Sequence, residues 1–146
     1  MLLSVCIPTW NRSSFIRLSA RYWLEQIAPF ADRVELIIAD NASTDDTVVV
    51  LDSLRELGSF RLIRRPQNLG FNRSTFDLVA AQAVGDFVWV CGDDDYLNRG
   101  ALAEVISARC RSAPSAEALI CIMLNMPITQ TSLIAVSKSL NWPLTN

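Results

Sequence analysis

A mainly parallel α/β sheet is what this sequence predicts, from two observations. Short runs rich in Val, Ile and Leu alternate with longer segments of helical period, and polar clusters fall where several of those runs end. Such alternation implies right-handed crossovers and helices on both faces of the sheet. The first strand is Leu2 to Ile7, closed by Pro8, after which Ser13 or Ser14 caps a helix reaching about Ala28 and ended by Pro29. Val34 to Ala39 is the second strand. Ser43-Thr44-Asp45-Asp46 resembles a capping box, with Asp where Glu or Gln is usual, and opens a helix that stops at Gly58. Asp45 and Asp46 are read there as acids suited to the helix dipole. A short third strand covers Phe60 to Arg64, a helix runs from Asn72 or Ser74 to about Val84, and Phe87 to Cys91 is the fourth strand. A further helix follows from Ala101 to Arg111, and Ala118 to Leu124 reads as a fifth strand. The polar, Pro-containing remainder to Asn146 gives no defined element.

Length and composition bound the function. A chain of 146 residues fits one domain with a single sizeable core, and 51% hydrophobic content with 19% charged residues is globular composition. The net charge of -2 gives no positive field to favour nucleic acid. The absence of His removes Ser-His-Asp and Cys-His nucleophile systems and two-His zinc sites, so acid–base chemistry falls to carboxylates. Cys6, Cys91, Cys110 and Cys121 lack paired metal-site spacing and read as buried thiols of a reducing compartment, which makes the cytoplasm the expected location. Neither a signal peptide nor a membrane-spanning segment is expected, because Met1 runs almost directly into a strand and the apolar stretch Ala118 to Ile128 is broken by Asn125 and Pro127.

Three consecutive carboxylates, Asp93-Asp94-Asp95, follow the fourth strand directly after Gly92. Adjacent anions raise one another's pKa unless a cation sits among them, and Mg2+ or Mn2+ takes one or two carboxylates and completes its shell with water and phosphate oxygens. An isolated Asp triplet is more often a solvated turn. Here, however, Thr9-Trp10-Asn11-Arg12 follows strand one and Asp40-Asn41-Ala42-Ser43 follows strand two. If the strand order is 3-2-1-4, the first and fourth loops flank the switch point, where open α/β sheets bind ligands, with Asp40 beside them. A dinucleotide-binding site is disfavoured because no Gly-x-Gly-x-x-Gly follows strand one, and a P-loop because no Gly-Lys-Ser/Thr occurs. A phosphatase using a strand-end Asp nucleophile would need its Asp pair after the first strand, where none stands.

Ile7-Pro8-Thr9-Trp10-Asn11-Arg12, Ile37 to Thr47 with its Asp-Asn-Ala-Ser, Asn68-Leu69-Gly70-Phe71-Asn72-Arg73, Gly85-Asp86-Phe87 and Gly92-Asp93-Asp94-Asp95 occur in that order. The series resembles glycosyltransferase family 2, and more closely its abequosyltransferase-like branch. The resemblance covers residues 1 to about 105. It implies a GT-A fold that holds a nucleoside-diphosphate sugar and a divalent cation, Mg2+ or Mn2+, and transfers the sugar with inversion to a saccharide or lipid-linked acceptor in bacterial polysaccharide or O-antigen assembly. Peripheral contact with the inner face of the cytoplasmic membrane follows by resemblance only.

By family position the donor-binding residues are Pro8, Thr9, Asn11, Arg12, Asp40, Asn41, Ser43, Asn68, Gly70, Arg73, Asp93 and Asp94, with Asp40 accepting from the base and Arg73 neutralising diphosphate. Arg73 reads equally well as a solvated first helical residue. Aligning the acidic loop on its final pair gives Asp94 and Asp95 as metal ligands and puts Gly92 where relatives carry an acid; aligning on its first acid gives Asp93 and Asp95. Trp10 and Tyr96 read either as stacking partners for a base or sugar or as loop-edge packing. The family's general base belongs to a later segment, whereas Glu117 is the only acid after Glu104 here. Residues 1–112 are therefore expected to form the donor domain and 113–146 an incomplete acceptor segment of a C-terminally truncated enzyme. The alternatives are a non-catalytic nucleotide-binding module lacking the base, or a plain α/β interaction domain.

Overall fold

A computed structural model of the chain describes residues 3–70, 82–111, 119–122 and 134–137. Six strands form one sheet: β1 (Leu3–Thr9), β2 (Val34–Asp40), β3 (Arg61–Arg64), β4 (Phe87–Val90), β5 (Leu119–Ile122) and β6 (Ile134–Ser137), in the order β3-β2-β1-β4-β5-β6. The first five run parallel and β6 is antiparallel to β5. The expected order 3-2-1-4 is present, and the chain reverses its direction of winding between β1 and β4.

β1 is buried along its whole length because it is paired on both sides and covered on both faces. Its alternate residues serve two cores. Leu3, Val5 and Ile7 join Leu36, Ile38 and Trp89 beneath α1 (Ser13–Ile27) and α2 (Thr47–Ser53), while Cys6 joins Ile37, Ala39, Val88 and Val90 on the opposite face. α1 buries Ile16, Ala20, Trp23, Leu24 and Ile27, a stripe at helical spacing that defines the face it turns to the sheet. Trp23 meets Trp89 edge to face, with ring centroids 5.5 Å apart, and truncating such a buried ring costs about 3–5 kcal/mol. α3 (Ala101–Arg111) follows β4 with the expected bounds and adds Leu102 and Ile106 to the larger core.

Several boundaries differ from the sequence expectation. Neither Ser13 nor Ser14 caps α1: Ser13 is already in its first turn, and its amide donates to the Asp45 carboxylate at 3.2 Å. The capping box at Ser43 does not form either. Asp45 accepts from both the amide and the hydroxyl of Thr47, at 3.0 and 2.5 Å, so α2 begins at Thr47. It ends at Ser53, passing into a 3-10 turn at Leu54–Glu56 before Gly58. β6 was not foreseen, and the helix expected from Asn72 or Ser74 falls almost wholly outside the described residues. Cys6 and Cys91 are buried, as expected of them. Among the described residues no helix is long and apolar enough to cross a membrane.

The amino-terminal edge of the sheet is tied by a polar network. Ser4 Oγ donates to Glu35 Oε1 at 2.5 Å and accepts from the Gly85 amide at 2.8 Å, and the Val84 amide donates to the same Glu35 oxygen at 2.9 Å. Gly85 must be glycine there: a Cβ would lie 2.7 Å from the Ser4 backbone nitrogen and 2.8 Å from the Leu3 carbonyl carbon.

Candidate functional site

The carboxyl edge of the sheet carries the polar loops, and they are cross-linked to one another. After β1 the chain turns through Asn11 at φ 52°, a left-handed conformation that Asn tolerates better than most residues. Its amide donates to Ser43 Oγ at 2.8 Å, and its side-chain oxygen accepts from the Thr44 amide at 2.7 Å. Asp40, 3% exposed, accepts from the Ser43 amide with its two carboxylate oxygens at 3.2 and 3.3 Å. Ala42, between them, is held at φ 64°. Asn41 and Asn68 form a second clasp: Asn41 Nδ2 donates to Asn68 Oδ1 at 2.7 Å, and Asn41 Oδ1 accepts from the Leu69 amide at 3.0 Å. Asn68 also accepts from the amide of Gly70, whose φ of 75° favours glycine.

The acidic loop after β4 divides its three carboxylates among three environments. Asp93 is buried, accepts from Thr9 Oγ1 at 2.7 Å and faces Arg12 Nε at 3.3 Å, while its carbonyl accepts from Ser19 Oγ at 2.7 Å. Burial pushes its carboxyl above the ordinary value; the Thr9 hydrogen bond and Arg12 oppose that, and the charge of Asp94 adds to it. Asp94 is half exposed and pairs with Arg12 Nη2 at 2.6 Å. Asp95 folds back so that its carboxylate accepts from the Gly92 amide at 2.6 Å. Position 92 suits a residue without a side chain, since a Cβ would meet Asp94 Oδ1 at 3.0 Å and Asp95 Oδ2 at 3.1 Å. The mutual repulsion expected of the triplet is thus secondary to burial at Asp93.

Between the loops lies a cleft of about 420 Å³, at the switch point between β1 and β4. Of the residues singled out in the sequence, Pro8, Thr9, Arg12, Asn41, Asn68, Gly70, Asp93 and Asp94 line it. Asn11, Asp40, Ser43 and Asp95 are not among the lining residues; their polar atoms are engaged by loop amides. Arg73 lies outside the described residues. Trp10 and Gly92 complete the wall, and Trp10 is half exposed there. Tyr96 instead meets Tyr22 edge to face at 5.4 Å.

Among the described residues no three acidic, His or Cys side chains converge closely enough to hold a metal ion by themselves. Two neighbouring carboxylates are nonetheless the donor set that Mg2+ or Mn2+ accepts when phosphate and water supply the remaining ligands. Asp93 and Asp94 both line the cleft, whereas Asp95 lies outside the lining and its Oδ2 accepts from the Gly92 amide.

A family model described as Glycosyl transferase family 2 matches residues 4–118. Abequosyltransferase RfbV of Salmonella typhimurium is 38% identical over 105 residues, covering 70% of this chain and 31% of that protein. The chain therefore spans less than a third of that relative's length. The crystal structure of S. aureus TarS in complex with UDP-GlcNAc superimposes with a TM-score of 0.68 at 25% identity, over 76% of this chain and 32% of the other. The mannosyltransferase PcManGT of Pyrobaculum calidifontis, in complex with GDP-Man and Mn2+, matches at a TM-score of 0.67 and 22% identity, over 84% of this chain and 35% of the other.

Proposed function

Since the chain belongs to glycosyl transferase family 2, we propose that its cleft holds the nucleoside diphosphate of a sugar donor. The sheet is that of the GT-A fold, shared with TarS. The observation that carries the reading is the convergence of the loops after β1, β2, β3 and β4 on one cleft at the switch point. Pro8, Trp10, Asn41, Asn68 and Gly70 supply a wall of flat, hydrogen-bonding character suited to a base and ribose. Arg12, Asp93 and Asp94 supply the charged wall suited to a diphosphate and its counter-ion. Asn11, Asp40 and Ser43 act on the donor through the loops they hold. A divalent cation at Asp94 and Asp95 would screen the charge that builds on the leaving diphosphate.

The enzyme to which this donor domain corresponds transfers the sugar, with inversion, to a saccharide or lipid-linked acceptor in bacterial polysaccharide assembly. Both relatives are named for sugar transfer, RfbV as an abequosyltransferase and TarS as a poly(ribitol-phosphate) beta-N-acetylglucosaminyltransferase. No described residue is given the role of general base.

Calorimetric titration with UDP, CDP, GDP and dTDP, in Mn2+ and then in chelator, tests the donor site. Binding of one nucleotide that depends on Mn2+ and is lost in Asp94→Ala is the expected result. Silence from all four in a folded chain would sink the reading.

A further inference from the structure

Arg12 bridges two of the three acids of the β4 loop, with Nε 3.3 Å from Asp93 and Nη2 2.6 Å from Asp94. Asp93 has other support, from Thr9 on its carboxylate and Ser19 on its carbonyl. Asp95 is turned onto the Gly92 amide. The charge of Asp94 is thus balanced within the chain by a guanidinium that itself lines the cleft. Its Cζ also lies 4.4 Å from the Phe15 ring centroid, a contact that keeps part of its stabilisation when the carboxylates are taken away.

We infer that Arg12 is the internal counter-ion of the cation-free cleft, and that a divalent cation binds in competition with it for Asp94. The inference rests on the donor-binding reading for its biological meaning. A cation that approaches the acidic loop meets a carboxylate whose Oδ2 already holds the Arg12 guanidinium, and the two positive charges repel, so each weakens the other's hold on Asp94. The displaced guanidinium remains on the cleft wall, where it is available to an anionic diphosphate. Cation and diphosphate then favour each other's binding, and the coupling is reciprocal. Such an arrangement disfavours loading of the cation without the donor.

The test is Mn2+ binding to the chain in the absence of any nucleotide, read from the electron paramagnetic resonance of free Mn2+, in wild type and in Arg12→Met. Methionine keeps apolar contact with Phe15 and removes the charge. The variant is expected to bind Mn2+ at least about fivefold more tightly, and equal or weaker binding, or none in either protein, would overturn the inference. A measurement on the wild type covers the case in which the variant fails to fold. The Arg12 Nε–H resonance should shift on saturation with Mg2+, and a resonance that stays in place refutes displacement. Because neither readout contains a nucleotide, their outcome is independent of the nucleotide titrations: tight Mn2+ binding in Arg12→Met with silence from all nucleotides would sink donor binding and leave the competition standing.

Discussion

Two aspartates of the binding edge, Asp93 and Asp45, should titrate on opposite sides of the ordinary carboxyl value of 3.8. At Asp93 burial dominates and raises the pKa against the help of Thr9 and Arg12. The folded chain therefore holds a proton there that the unfolded chain has released, so this group's contribution to stability declines as pH rises from 3.8 through the folded value. At Asp45 burial works against ionisation, yet the hydrogen bonds from Thr47 and Ser13 together outweigh it and lower the pKa. Its contribution is present above 3.8 and lost as pH falls through the lower folded value. Carboxyl-carbon NMR titration should place the two midpoints either side of 3.8, and coincident midpoints would contradict this account. The acids themselves are legible in the sequence, including the triplet and its position after a strand. What separates Asp93 from Asp94 is burial, and that depends on Thr9 and Arg12, more than eighty positions away.

At the scale of elements, glycine positions report two different constraints. Gly85→Ala puts a Cβ into the β1 backbone at 2.7 Å, where no side chain can give way, and should cost about 3 kcal/mol in chemical denaturation. Gly70→Ala meets nothing within 4 Å, but its φ of 75° makes it cost about 1–2 kcal/mol instead. A near-neutral Gly85→Ala would show that the start of β1 is less tightly seated than described. The central strands were legible because buried parallel strands read as apolar runs, as in Leu36 to Ala39. β6 was not, since Leu133 to Val136 is an apolar run of only four residues, and the strand is defined by its pairing with β5. The helix caps were misread for a related reason. Ser13, Ser14 and Ser43 are local signals, whereas Asp45 reaches across from another loop to the α1 amide.

For the molecule as a whole, the order 3-2-1-4 predicted the place of the site before any contact was known, because a switch in winding opens a crevice at the carboxyl edge. It also predicts where the chain opens last. β1 is paired on both sides and buried throughout, so its amides should exchange slowly, and those of the half-exposed β3 should exchange sooner. Faster exchange in β1 than in β3 would argue against a single cooperative sheet. The clasps between loops escaped the sequence reading because Asn11 with Thr44, and Asn41 with Asn68, pair residues about thirty positions apart. They carry a consequence for anyone who sets out to retune this cleft by combinatorial mutagenesis. Asn41 and Asn68 form one two-letter word, joined by the bond from Asn41 Nδ2 to Asn68 Oδ1, so a library that randomises either alone would be filled with unreadable variants. Trp10, on the same wall yet outside both clasps, is the letter that can be changed by itself.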